Sequence, residues 1–180
     1  MNANASQICV ILNSKANGGK GLARWNLFLT TPKAKELALA NAPLFDQAHG
    51  LQPWIEEKIA QGYRRFVVAG GDGSINNAVN ALMKSPQGAL CSLGAIGTGS
   101  SNDFHKPRTK NHRETIAGFA CRLNFEEAKP HDLGHVQMDD GSTLYFAINA
   151  SVGITANANA FFNEAGSGFQ KLKRKWVDGA

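Results

Sequence analysis

Short apolar runs alternate along most of the chain with segments whose apolar residues recur at helical spacing. Runs of four to eight apolar residues rich in Val and Ile are typical of buried strands, and the spaced segments indicate amphipathic helices. The pattern predicts strands at residues 8–12, 44–46, 65–69 and 90–96, and helices at residues 22–29, 33–42, 53–61, 74–83 and 114–123. This alternation favours right-handed βαβ units and a parallel sheet.

The pattern changes near residue 129. Residues 131–138 and 143–150 are predicted strands, joined by the turn sequence Asp139-Asp140-Gly141-Ser142 with no helix between them. We therefore expect an α/β domain at residues 1–128 and the beginning of a β-rich second domain at 129–180. Two strands do not form a stable sheet alone, so we expect this second domain to be incomplete. Residues 156–164 and 171–176 are predicted helical.

Three glycine-rich turns follow predicted strands, at residues 13–21, 70–74 and 97–104. The carboxyl ends of parallel strands lie at one edge of a sheet, so these turns can converge on one ligand. Glycine lets backbone approach an anion closely, and the amides of a helix's first turn point at it. A phosphate site is therefore predicted. A solvated turn at residues 13–21 and an ordinary helix cap at Ser74 are the alternatives.

Charge favours anionic partners without selecting one. The 19 Lys and Arg residues exceed the 14 Asp and Glu residues, which gives a formal net charge of +5. Nucleotides and lipid head groups fit this balance. Nucleic acid is not expected, because the basic residues are not interleaved with aromatic residues in a recognisable motif.

The cysteines and the apolar runs indicate the cellular compartment in which the protein is expected. Cys9, Cys91 and Cys121 are odd in number and widely spaced, which fits neither a zinc site nor a secreted disulfide framework, so we expect reduced thiols. Residues 1–7 do not resemble a signal peptide, and no apolar run has the length of a membrane span. We therefore expect a cytoplasmic protein.

Four stretches together resemble the diacylglycerol kinase catalytic-domain family, which includes bacterial lipid kinases and sphingosine kinases and shares a wider superfamily with NAD kinases. Gly70-Gly71-Asp72-Gly73-Ser74 matches its Gly-Gly-Asp-Gly-Thr turn, and residues 93–104 match Leu-Gly-x-Ile-Pro-x-Gly-Thr-x-Asn-Asp-Phe. Asp132-Leu133-Gly134 matches the Asp-x-Gly that opens the family's second domain, and residues 146–153 resemble the strand that follows. The resemblance, from about residue 8 to 158, implies a Rossmann-like parallel sheet followed by an antiparallel β-sandwich.

Several positions depart from the family pattern. Asn77 stands where the family has Glu, and Thr155 stands where many members have Asp. Gly97 and Ser100 replace proline and threonine, and Ser14 follows Asn13 where proline is expected. Together with a shortened second domain, these departures leave open a catalytically incomplete nucleotide-binding protein. An NAD kinase-like enzyme is the other alternative, although the Asn102-Asp103-Phe104 sequence favours the lipid-kinase branch.

The resemblance implies transfer of the γ-phosphoryl group of ATP to a lipid hydroxyl, with Mg²⁺ neutralising charge. It implies Asp72 as the catalytic residue, either Mg²⁺-linked or orienting the hydroxyl, and Asp103 as a second candidate whose alternative role is helix capping. Further metal ligands are not predicted. We expect a lipid substrate, and leave contact with the inner face of the membrane and self-association open. The predicted nucleotide-binding residues are Gly70, Gly71, Asp72, Gly73, Ser74, Asn76, Ser100, Asn102 and Asn13.

Overall fold

The computed structural model describes residues 7–45, 50–106 and 115–150. Its strands are β1 (Ile8–Leu12), β2 (Arg65–Gly70), β3 (Ser92–Gly97), β4 (Thr115–Ile116), β5 (Phe119–Arg122), β6 (Gly134–Gln137) and β7 (Thr143–Phe146). A five-stranded sheet has the order β1-β2-β3-β5-β4, and β6 and β7 form a separate two-stranded sheet. β1, β2 and β3 are parallel, whereas β5 runs antiparallel to β3 and β4 antiparallel to β5. The predicted α/β class with a parallel sheet is confirmed.

Helices cover both faces of this sheet. They are α1 (Ala16–Gly19), α2 (Gly21–Leu29), α3 (Pro32–Glu36), α4 (Leu51–Ala60) and α5 (Asp72–Lys84), with 3-10 turns at Leu39–Asn41, Gly88–Leu90 and Asp103–His105. Trp25 and Phe28 of α2 pack on one face, and Ile55 of α4 and Ile75 of α5 pack on the other. Strands buried on both faces need apolar side chains at successive positions, which explains the unbroken apolar run of β1.

The helices predicted at residues 22–29 and 53–61 are confirmed as α2 and α4. The helix predicted at 33–42 is shorter, because the chain leaves α3 after Glu36 and Ala38 adopts a left-handed φ of 51°. The strand predicted at 44–46 is reduced to one parallel bridge between Val10 and Leu44, and Asp46 lies outside the described residues. The strand predicted at 90–96 begins at Ser92, after a 3-10 turn.

The helix predicted at residues 114–123 is wrong. The described part of this segment is a tight hairpin, in which Ala117 and Gly118 take φ values of 50° and 80° between β4 and β5. Positive φ at both central positions matches the twist of a two-residue hairpin turn. The apolar residues Ile116, Phe119 and Leu123 mimic helical spacing, but they are used to complete the sheet beside β3.

The predicted hairpin after residue 129 is confirmed as β6 and β7, with Gly141 at φ 81° in its turn. Asn80 of α5 bonds to the hairpin through both atoms of its side-chain amide. Asn80 donates from Nδ2 to the Tyr145 carbonyl at 2.8 Å, and the Tyr145 N–H donates to Asn80 Oδ1 at 2.9 Å. The hairpin belongs to a compact unit comprising Met1–Ile148. The domain boundary at residue 129 stays a prediction.

Other predictions fall on residues 107–114 and 151–180, outside the described residues. They include the helices at 156–164 and 171–176 and the family positions Gly153 and Thr155. The three cysteines are free, and burial raises the pKa of Cys9 to about 12. No helix within the described ranges has the length and apolar character needed to cross a membrane.

Candidate functional site

The two glycine turns that follow β2 and β3 begin at the same level of the sheet edge. Gly70 and Gly97 are the last register pair of these strands. The N–H groups of Thr98 and Gly99 both donate to the Gly70 carbonyl, at 3.0 and 3.2 Å. The backbone therefore joins the start of the second turn directly to the start of the first.

Close backbone packing between the turns requires glycine. A Cβ on Gly99 would overlap the Cα of Gly71, and a Cβ on Gly71 would lie 3.2 Å from the Cα of Gly99. A Cβ on Gly70 would lie 2.5 Å from the Cβ of Ser74. Gly73 differs, since a Cβ there would meet nothing within 4 Å. The glycines thus bring two backbones together and leave open space at Gly73.

Helix α5 begins at Asp72, so the prediction that it opens at Ser74 is wrong. Gly70 and Gly71 complete the turn by themselves, and the N–H groups of Ser74 and Ile75 both donate to the Gly71 carbonyl. The N–H groups of Asp72 and Gly73, the first two residues of α5, have no preceding helical turn whose carbonyls could accept from them, and they lie at the positive end of the helix dipole. The arrangement can hold a phosphate or another anion at this end of α5.

Asn13 connects the turn after β1 to this helix. Its backbone N–H donates to the Ala69 carbonyl at 2.9 Å, and its Nδ2 donates to the Ser74 hydroxyl at 2.9 Å. Its Oδ1 accepts the N–H of Lys15 at 3.1 Å. The three glycine-rich turns are therefore brought together, as predicted. The hydrogen bond between Asn13 and Ser74 links the turn after β1 to the turn after β2.

The Asp72 carboxylate holds the turn after β3 in place. Its Oδ2 accepts the N–H of Asp103 at 3.0 Å and its Oδ1 accepts the N–H of Phe104 at 2.9 Å. Both oxygens thus bind the first amides of the 3-10 turn Asp103–His105. This contact makes Asp72 a positioning residue, whereas its catalytic role stays a prediction. The Asp103 carboxylate instead forms an ion pair with Lys106 at 2.6 Å.

Asn102 shapes the same turn from within. It has a left-handed φ of 52°, is 9% exposed, and donates from Nδ2 to the Gly99 carbonyl at 2.9 Å. A Cβ on Gly97 would lie 3.0 Å from the Asn102 Cγ, so the glycine in place of the family's proline leaves room for this side chain. Ser100 and Asn76 are exposed, the former on the turn and the latter on α5. Their predicted nucleotide contacts stay predictions.

A cavity of about 410 Å³ adjoins Asn13 and Ser74, between α5 and the start of α4. Its wall combines apolar and amide side chains, and its lining includes Phe45, Gln52, Asn77, Asn80 and Lys84. Among the described residues of that lining, Lys84 is the one that carries a charge. Sequence reasoning noticed Asn77 as a departure but missed Phe45, Gln52 and Lys84, because tertiary packing alone brings them together.

Arg24 is a further residue at this edge that the sequence did not single out. It lies in α2, and its Nη2 donates to the Gly97 carbonyl at 3.3 Å. Its position three residues after Gly21 gives no local signal of this contact. Within the ranges that the structure describes, no group of three or more His, Cys, Asp or Glu side chains could hold a metal ion.

Helices on both faces of the sheet and two interlocked glycine turns at its carboxyl edge make this an α/β protein of the class that binds ligands at that edge. Residues 7–136 match the model of the diacylglycerol kinase catalytic domain. The chain belongs to this family, as the sequence resemblance predicted.

Two curated relatives bear the name "Probable lipid kinase YegS-like". The protein of Shewanella frigidimarina (strain NCIMB 400) is 46% identical over 52 residues, which is 28% of this chain and 17% of that protein. The protein of Pseudomonas fluorescens (strain Pf0-1) is 33% identical over 87 residues, 48% of this chain and 26% of that protein. The matched stretches thus span about a quarter or less of the relatives' length.

Proposed function

We propose that the chain carries the nucleotide-binding part of an ATP-dependent lipid kinase, which transfers the γ-phosphoryl group of ATP to a lipid hydroxyl. The observation that carries this proposal is the packing of Gly71 against Gly99 at the N-terminus of α5. Side chains are absent where these two backbones meet, so an anion can approach the amides of α5 and of the second turn.

The cavity beside Ser74 suits the nucleoside part of the same ligand. Phe45 offers an aromatic face for stacking, and the amides of Gln52 and Asn77 can both donate and accept hydrogen bonds. Because Asn13 and Ser74 belong both to the cavity lining and to the glycine turns, one nucleotide can occupy both. Phosphates would lie at α5, with the base towards α4.

Asp72 and Asp103 are the carboxylates that belong to the two glycine-rich turns after β2 and β3. Mg²⁺ in kinases is held through one or two carboxylates together with substrate phosphates, and it neutralises charge that develops during transfer. Asp103 fits that part, since its carboxylate is engaged by an exposed Lys106 ammonium rather than by backbone. Asp72 remains our candidate catalytic residue and orients the second turn through Asp103 and Phe104.

The lipid acceptor is proposed from the family and from the names of the relatives. A membrane surface and a second copy of the chain are proposed as further partners. A catalytically incomplete nucleotide-binding protein is the second candidate, because Asn77 lines the cavity at the position where the family has a carboxylate. An NAD kinase-like enzyme is the third.

Calorimetric titration with Mg-ATP, followed by assays of phosphate transfer to diacylglycerol, sphingosine and NAD, separates these functions. We expect nucleotide binding and lipid phosphorylation. Binding without transfer to any acceptor would favour the non-catalytic candidate, and transfer to NAD would favour the NAD kinase-like enzyme. A chain that binds no nucleotide would contradict the proposal.

A further inference from the structure

A positively charged side chain lies beside the two turns on the face of the sheet opposite α5. Arg24 is partly buried, and besides its hydrogen bond to the Gly97 carbonyl its guanidinium carbon lies 4.9 Å from the centre of the Phe119 ring. Gly97 is the last residue of β3 and pairs with Gly70. The guanidinium is therefore anchored where both glycine turns begin.

Two polar groups that flank the Gly97 peptide have no partner within the described part of the chain. Arg24 Nε is buried without a hydrogen-bond acceptor, and the hydroxyl of the fully buried Thr98 is likewise unpaired. The ion pairs of the described residues do not include Arg24. Unpaired buried donors and partly buried charges are unfavourable, so a ligand that accepts hydrogen bonds and carries negative charge would be stabilised beside them.

The shape of this site favours a phosphate oxyanion. A guanidinium carries five N–H donors in a planar fork that matches phosphate oxygens, and it also stacks on aromatic rings. The Arg24 guanidinium lies over the Phe119 ring, which is a cation–π contact. In the described part of the chain, the Arg24 guanidinium makes one hydrogen bond, to the Gly97 carbonyl. Other N–H donors of this guanidinium are therefore available to a ligand.

We propose that Arg24 is a phosphate-binding residue, which contacts an anion held by the two glycine turns from the α2 side of the sheet. The inference rests on the proposed function. The phosphate could belong to a nucleotide or to a phospholipid head group, and the geometry favours the nucleotide because Arg24 is tied to the first residue of the second turn.

Arg24→Gln and Arg24→Lys test this role, with Arg64→Gln as the matched control. Arg64 is also partly buried, and it donates to the Ile59 and Tyr63 carbonyls near the amino end of β2, away from the glycine turns. Its substitution by Gln removes the same charge as Arg24→Gln. Calorimetry at constant ionic strength would compare tripolyphosphate, ATP and adenosine. Circular dichroism would confirm that each variant is folded.

We expect Arg24→Gln to weaken binding of tripolyphosphate and ATP about tenfold or more, as loss of a charged hydrogen bond predicts. The affinity for adenosine should not change. Arg24→Lys should give an intermediate loss, because lysine keeps the charge but lacks the planar set of guanidinium donors. Arg64→Gln should bind all three ligands like the original chain. If Arg24→Gln does not fold, Arg24→Lys carries the comparison.

Unchanged tripolyphosphate and ATP affinity in a folded Arg24 variant would overturn the inference while leaving the proposed function intact. Equal losses for adenosine and tripolyphosphate would also overturn it, since they would show a packing role. If the original chain binds neither phosphate ligand, the proposed function fails first. Binding to phosphatidylglycerol vesicles that is weakened by Arg24→Gln would then support a lipid phosphate as the source, and its absence would overturn the inference.

Discussion

The glycine turns after β2 and β3 end neighbouring strands, yet they build different structures. The first leads into α5, a helix of 13 residues, whereas the second closes into the single 3-10 turn Asp103–His105. The second turn takes its position from the first through hydrogen bonds to the Gly70 carbonyl and the Asp72 carboxylate. We therefore propose two different tasks: the turn after β2 offers its helix amides to an anion, and the turn after β3 is fixed in position by the turn after β2.

Breaking the backbone contact between the turns should have the largest effect. In Gly99→Ala the new methyl group would overlap the Cα of Gly71, and the Gly99 N–H is held by the carbonyl of the neighbouring Gly70. We expect a loss of about 2–3 kcal/mol in the free energy of unfolding, as for an overpacked core, together with loss of nucleotide affinity. Urea denaturation and ATP titration would measure both.

Gly73→Ala is the matched control, since a methyl group there would meet nothing within 4 Å and Gly73 lies inside α5. Alanine should leave stability unchanged or raise it by up to about 1 kcal/mol, the difference in helix propensity. Equal destabilisation by the two substitutions would show that the contact between the turns has no special weight.

Removing the Asp72 carboxylate should have the next largest effect. In Asp72→Asn one oxygen becomes an NH₂ group, which cannot accept the N–H of Asp103 or Phe104. We expect a loss of about 1–3 kcal/mol in unfolding free energy, the cost of leaving a buried donor without an acceptor. Hydrogen exchange should accelerate at the Asp103 and Phe104 amides.

Asp103→Asn serves as the comparison, because it removes a carboxylate that is paired with the exposed ammonium of Lys106. Such pairs contribute about 0–1 kcal/mol, so stability should hardly change. If Asp103→Asn destabilised the chain more than Asp72→Asn, the assignment of Asp72 as the residue that holds the second turn would be wrong.

The smallest effect on stability is expected where the turn after β2 contacts the turn after β1. Ser74→Ala removes the hydroxyl that accepts from Asn13 Nδ2, which should lower stability by about 1 kcal/mol. Ser100→Ala, on the exposed part of the second turn, should lie within about 0.5 kcal/mol of the original chain. Thermal unfolding of the two variants side by side would show whether the hydroxyls differ in this way.

Local sequence patterns predicted the parallel core well because its strands are buried on both faces. The run at β1 is apolar throughout, the run at β2 is apolar after Arg65, and glycine marks the ends of β2 and β3. The hairpin of β4 and β5 was mistaken for a helix because Ile116, Phe119 and Leu123 fall at helical spacing. The sequence Ala117-Gly118 is compatible with a tight turn. It does not distinguish a hairpin from a helix until the pairing of β5 with β3 is known.

The candidate site was predicted in part for the same reason. Glycine turns are visible in sequence, so residues 70–74 and 97–102 were found. The start of α5 was misplaced, because Ser74 is a good cap by composition while Gly71 takes that position in the structure. Contacts between distant segments, such as Arg24 with Gly97 and Asp72 with Phe104, depend on tertiary packing and leave no local pattern.

The central claim is that both glycine turns contact the phosphates of one bound nucleotide. Titration of the ¹⁵N-labelled chain with Mg-ATP, followed through its backbone amide resonances, tests this claim most directly. We predict saturable shifts with one common affinity at Gly71, Gly73 and Ser74 and at Gly99 and Ser100. Shifts confined to one turn, or located away from the carboxyl edge of the sheet, would contradict it.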